Sequence, residues 1–212
     1  MKLQWELPLS ADGVHIELPD GTALRIRPVS ADDGPALDAS FKRMSARSRY
    51  LRFFTIRDEL GAAMIEKFTD IDHRLHRAWV VIDPANIGEL PGEQQGIGVA
   101  VARLIETSTP GVADASLAVI DDYQRRGVGR LLLDLLLSTA STAGVEKMRF
   151  ETLWENRGMR RLLGTLGAEQ NKELSDPSVL TYDLSIESSD DDALGALYEI
   201  LRWIAASEDP DG

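Results

Sequence analysis

The stretch Leu117-Ala118-Val119-Ile120-Asp121-Asp122-Tyr123-Gln124-Arg125-Arg126-Gly127-Val128-Gly129-Arg130 decides how this chain is read. A short apolar run leads into an arginine-rich turn with two glycines, and the segment Leu131 to Leu137 follows with six leucines. Strand, turn and helix are predicted in that order. The first turn of such a helix offers backbone N–H groups that lack intrahelical partners, together with a partial positive charge. Both suit a pyrophosphate. The leucine run is apolar nearly all round, so its helix is expected to be buried against a sheet.

The flanking pattern supplies that sheet. Val14 to Leu18 and Ala23 to Ile26, around Pro19-Asp20-Gly21, read as a hairpin. Ser30 with Asp33 forms a capping box ahead of a helix running to Met44, and Thr55 with Asp58 repeats the pattern ahead of a helix from Glu59 to Phe68. Strands are expected at Trp79 to Ile82, Ile97 to Ile105 and Asp114 to Ile120. After the glycine turn come a helix from Val128 to Thr142, a strand from Lys147 to Trp154, a helix from Asn156 to Leu166 ended by Gly167, and a strand from Val179 to Leu184. The order implies an α/β protein of mixed α+β character, with helices on both faces of a mixed sheet. Residues 1–22 read as an N-terminal extension carrying the first hairpin strand, and 23–186 as the domain. Residues 187–212 read as an acidic linker and an amphipathic helix built on Leu194, Leu197, Leu201 and Ile204. That helix is expected to dock on its own domain or to form a homodimer contact.

Composition narrows the chemistry. The 212 residues carry a net charge of −12, which argues against a nucleic-acid partner, since phosphate backbones require a basic face. There is no cysteine, which excludes disulfides, thiolate catalysis and zinc–thiolate sites. No apolar run approaches a membrane span or looks like a signal peptide, so a cytoplasmic protein without a membrane partner is expected. His73 and His76 lie at i, i+3 without a supporting carboxylate motif. They read as solvent-facing residues on a helix end, and no metal is expected.

The glycine turn admits three readings. A P-loop needs G-x-x-x-x-G-K-[ST], which is absent. A dinucleotide site needs a third glycine where Leu132 stands, and that side chain would block close helix–strand approach. What remains is Q-x-x-G-x-G at Gln124, Gly127 and Gly129. In this the chain resembles the GNAT superfamily of acetyl-CoA-dependent N-acetyltransferases. Leu117-Ala118-Val119 and Gln124 to Arg130 are similar to the acyl-CoA motif, and Asn156, Met159, Leu162, Leu166 and Gly167 to a second family block. Ile26-Arg27-Pro28 and Ser45 to Phe54 further resemble the acetyltransferase domain of bacterial protein-lysine acetyltransferases.

The resemblance implies a mostly antiparallel GNAT-like sheet and acetyl-CoA as co-substrate, without a metal. It places the CoA pyrophosphate on the backbone of Gln124, Arg125, Arg126, Gly127, Val128, Gly129 and Arg130. Arg125, Arg126 and Arg130 would pair with phosphate oxygens, with one or two of them pointing instead to solvent or to Asp121 and Asp122. Leu117, Ala118 and Val119 would offer main-chain hydrogen bonds to the pantetheine arm, and Asn156 a further contact. The acceptor is expected to be a small-molecule amine or a protein lysine. An alkylammonium titrates near about 10.4, so something must take its proton. Two carboxylates match base positions in relatives: Asp114, ten residues before Gln124, and Glu151, five before Asn156. The family's usual general-acid tyrosine falls at Leu163. That departure leaves open an alternative, a CoA-binding sensor with little turnover.

Overall fold

The computed structural model describes residues 13–186. The expected tail helix and its homodimer contact lie outside those residues. Eight strands form one sheet in the order β1-β2-β3-β4-β5-β6-β8-β7. They are β1 (Val14–Glu17), β2 (Ala23–Pro28), β3 (His76–Asp83), β4 (Ile97–Glu106), β5 (Val112–Val119), β6 (Lys147–Leu153), β7 (Glu169–Asn171) and β8 (Val179–Ser185). Every pairing is antiparallel except β5 with β6. The helices are α1 (Gly34–Arg43), α2 (Ala46–Phe53), α3 (Ala62–Thr69), α4 (Val128–Thr142) and α5 (Arg157–Gly164). No helix among the described residues is long and apolar enough to cross a membrane.

Two layers sandwich the sheet. On one face α4 buries Leu131, Leu132, Leu133, Leu135 and Leu136, as its all-round apolar sequence requires. Burial of each leucine contributes about 1.5–3 kcal/mol. Trp79 of β3 anchors this layer by donating Nε1–H to Thr139 Oγ1 at 3.2 Å. Helices α1 to α3 cover the other face, where Arg103 of β4 lies 4.5 Å from the ring of Phe68 in α3.

The hairpin forms as expected, with Gly21 at φ 84 and its N–H on Leu18 O. Ser30 and Asp33 complete their capping box, but around a single 3-10 turn that leads into α1. The second capping box does not form. Residues 46–53 make a helix of their own, α2, capped by Ser45 and ended by Phe54 in the left-handed region at φ 61. The chain then runs non-helically and buries Leu60 in the wall beneath α1, so α3 starts only after Gly61, with no side-chain cap. Burial of Leu60 outweighs the local preference of Thr55 and Asp58. His73 and His76 likewise are not on a helix end: His73 is in a loop at φ 52 and His76 opens β3.

Candidate active site

The site forms where the sheet opens. β5 and β6 run parallel and pair only through Val112–Lys147, Ala113–Met148 and Asp114–Arg149. Past these residues they part, and β5 remains paired with β4 alone up to Val119. Ile120 donates its N–H to Val99 O, and hydrogen-bonded positions alternate in an antiparallel ladder. Ser116 and Ala118 therefore turn their backbone groups into β4, whereas Leu117 and Val119 turn theirs to the open edge. Ala118 thus departs from expectation. Its main chain is committed to β4, and only its side chain, on the α1–α3 face, reaches the neighbouring cavity. The Val119 carbonyl is also engaged, by Gln124 Nε2 at 3.0 Å. Leu117 N–H and C=O and Val119 N–H remain toward the gap.

The glycine turn follows directly. A 3-10 turn at Asp121–Tyr123 carries the chain to Arg125 at φ 60 and Gly127 at φ 96, and α4 begins at Val128. Arg130 N and Leu131 N bond to Gly127 O, so the helical ladder starts there. Among the described residues, the five N–H groups of Arg125, Arg126, Gly127, Val128 and Gly129 have no hydrogen-bond acceptor. They constitute a cradle of donors at a helix N-terminus. Gly129 also packs against α5: a Cβ there would sit 3.4 Å from Leu162 Cδ2.

Two of the three arginines pair with carboxylates, but not with the expected Asp121 and Asp122. Arg126 pairs with Asp20 at 2.8 Å, bonds Thr22 Oγ1 and lies 4.8 Å from the Tyr123 ring. Arg130 pairs with Asp134 along its own helix at 2.8 Å. Of these three arginines, Arg125 alone has no ion-pair partner among the described residues, and it is exposed. Asp121 does not bind an arginine. It accepts from Ser45 N at 2.8 Å, Ser45 Oγ at 2.7 Å and Ser48 Oγ at 2.9 Å, while Gln124 Nε2 also reaches Ser48 Oγ at 3.1 Å. The serines of the Ser45–Phe54 block therefore tie α2 to the glycine turn. Sequence reading missed this role because the partners lie 76 residues apart.

Both candidate bases lie on one face. Cross-strand pairs share a face, so Asp114, its neighbour Arg149 and then Glu151 project on the α1–α3 side. Glu151 stands roughly 6.6 Å further along β6, where the strands have parted. Partial burial pushes the Asp114 carboxyl above the ordinary aspartate value, and Arg149 opposes the shift. Arg149 itself is held by Asp183 at 3.0 Å. Asn156 caps α5, with its Oδ1 accepting from Met159 N at 3.1 Å. Leu163 is fully buried, so no acid group occupies that position.

An Acetyltransferase (GNAT) domain matches residues 23–169. The chain belongs to the GNAT acetyltransferase family, a family of acyltransferases. Among GNAT relatives it is similar to Acetyltransferase Pat of Mycolicibacterium smegmatis, 28% identical over 156 residues, 73% of this chain and 44% of that one. The chain thus spans less than half the length of that relative. It is also similar to Acetyltransferase PA5475 of Pseudomonas aeruginosa, 25% identical over 80% of this chain and 87% of the relative. Among solved structures, the GNAT domain of S. lividans PAT superposes with TM-score 0.69 and 26% identity, covering 84% of this chain and 100% of that one. The fold is that of the GNAT family, with the splay between β5 and β6 opening beside the glycine turn.

Proposed function

We propose that this chain transfers an acetyl group from acetyl-CoA to a primary amine by direct attack in a ternary complex. The observation that carries the reading is the run of five unpartnered N–H groups from Arg125 to Gly129, continuous with the open edge of β5. Acetyl-CoA matches both parts, a pyrophosphate for the cradle and an amide-bearing arm for Leu117 and Val119. The open N–H of Val119 is available to the developing oxyanion. The amine nitrogen forms a bond to the thioester carbon as the C–S bond breaks. Its proton passes to Asp114 or Glu151, directly or through water, and the thiolate is protonated by water, since Leu163 offers no proton. A protein lysine belongs in the acceptor panel because Ser45 to Phe54 resemble the acetyltransferase domain of bacterial protein-lysine acetyltransferases.

The test is release of free thiol from acetyl-CoA across amines, peptides and lysine-bearing proteins, with acetyl-CoA affinity measured by calorimetry. Saturable binding with turnover supports the reading; no binding at millimolar acetyl-CoA overturns it. A second reading, a CoA-binding module with little turnover, is favoured by the burial of Leu163 where relatives place an acid. Tight binding without thiol release across the panel would select it.

A further inference from the structure

A cavity of about 300 Å³ lies between the α1–α3 layer and the sheet, beside the open strand β5. Phe41, Phe53 and Phe68 line its helical wall, and Val101, Ala118 and Ile120 its sheet side. Four arginines also line it, Arg25 and Arg27 of β2, Arg52 of α2 and Arg103 of β4. Arg103 is 2% exposed, and its Nη1 lies 3.1 Å from His76 Nε2. Arg52 donates Nη2–H to Ser116 Oγ at 3.0 Å, and Ser116 is the residue opposite Arg103 in the β4–β5 register. Arg52 and Arg103 thus flank the same part of β5, Arg52 by its bond to Ser116 and Arg103 from the neighbouring strand, with the Arg103 guanidinium turned to His76 and the Phe68 ring.

Neither has a carboxylate partner among the described residues. Other arginines are treated otherwise: Arg27 is clamped by Asp33, Arg43 by Glu93 and Arg77 by Glu106. Of the two acids at the cavity rim, Asp33 is taken by Arg27, and Asp32 is exposed. A desolvated cation without an anion is costly, and removing the cost requires an anion from outside. Burial, reinforced by the neighbouring charge of Arg52, holds Arg103 down at about 9, the direction expected of a cation lacking its counter-ion.

We infer that the cavity receives the carboxylate of a small organic acid, held by Arg52 and Arg103 beside Ser116, with its apolar part among the phenylalanines. Bidentate guanidinium–carboxylate geometry suits this role. The inference rests on the acyl-transfer reading, because the carboxylate belongs to one of the two substrates. It is either the α-carboxylate of an amino-acid acceptor or the distal carboxylate of a dicarboxylic acyl group on CoA.

Calorimetry on the full chain with 3-phenylpropionate and its neutral isostere 3-phenylpropionamide tests the site. The acid is expected to bind at least about tenfold tighter than the amide, and Arg52→Gln and Arg103→Gln should each remove that preference. Arg52→Lys, which keeps the charge but loses the fork, should restore it in part. Should Arg103→Gln fail to fold, the Arg52 pair decides alone. Equal affinity for acid and amide, or a preference that survives in folded Arg52→Gln, overturns the inference. Acetyl-CoA binding by the same samples separates failure of the cavity from failure of the donor site. Thiol release then distinguishes the sources: phenylalanine against phenylalaninamide with acetyl-CoA, and succinyl-CoA against acetyl-CoA with phenethylamine. A preference of about tenfold in kcat/KM in the first arm assigns the carboxylate to the acceptor, and in the second to the acyl group. No preference in either arm overturns it.

Discussion

Single residues carry the chemistry. As a proposed base, Asp114 needs its ionised form to accept a proton, and desolvation favours its neutral form. The rate is therefore expected to fall with pH at a point above the ordinary aspartate value, and Asp114→Asn should lower kcat by about 100-fold. Glu151→Gln, run beside it, shows whether the two carboxylates share the proton; a pH profile unchanged in Asp114→Asn would exclude that residue as base. Gly129 separates packing from binding. Its added Cβ makes only ordinary contact with Leu162, so Gly129→Ala should melt within about 3 °C of the parent. Donor affinity should nonetheless fall about tenfold, because the methyl group intrudes on the N–H cradle. His76 reports on the other end of the site. Burial, then the charge of Arg103, hold it down at about 4. The unfolded chain therefore binds more protons between pH 6.5 and about 4, and stability is lost as pH falls through that window. The loss at pH 5 is about 1 kcal/mol after solvent screening, and His76→Gln should flatten the dependence of melting temperature on pH.

At the scale of elements, what binds is set by how α2 and the glycine turn are joined. Asp121 holds two serines of α2 through three hydrogen bonds, so Asp121→Ala should lower the melting temperature by a few degrees, on the order of 1 kcal/mol. It should also weaken acetyl-CoA binding while leaving kcat near the parent value; unchanged affinity would show that the tie has no bearing on the donor. Local sequence made some elements plain and hid others. The leucine helix, the Pro19-Asp20-Gly21 hairpin and the strand before the glycine turn follow from periodicity and turn chemistry, and they stand where expected. The capping box at Thr55 and Asp58 misled because burial of Leu60 is a tertiary demand, invisible in a local window. The separate helix α2 was obscured for a related reason, since its cap Ser45 is steadied by a carboxylate 76 residues away.

At the scale of the molecule, a sheet whose two central strands pair for three residues and then part creates both halves of the site at once. One edge of the parted strand presents Leu117 and Val119, and one face presents Asp114, Ser116 and Ala118 to the helical layer. The residues proposed to hold the donor could be singled out in sequence because they are consecutive. The half built by Arg52, Arg103 and Ser116 was not, because it exists only once α2 and two strands are packed together. The most direct measurement is amide hydrogen exchange of the full chain with and without acetyl-CoA. Protection is predicted at the N–H groups of Arg125 to Gly129 and at Leu117 and Val119, with Ser116 and Ala118, already bonded to β4, unchanged. Acetyl-CoA binding that leaves Arg125 to Gly129 unprotected would contradict the account.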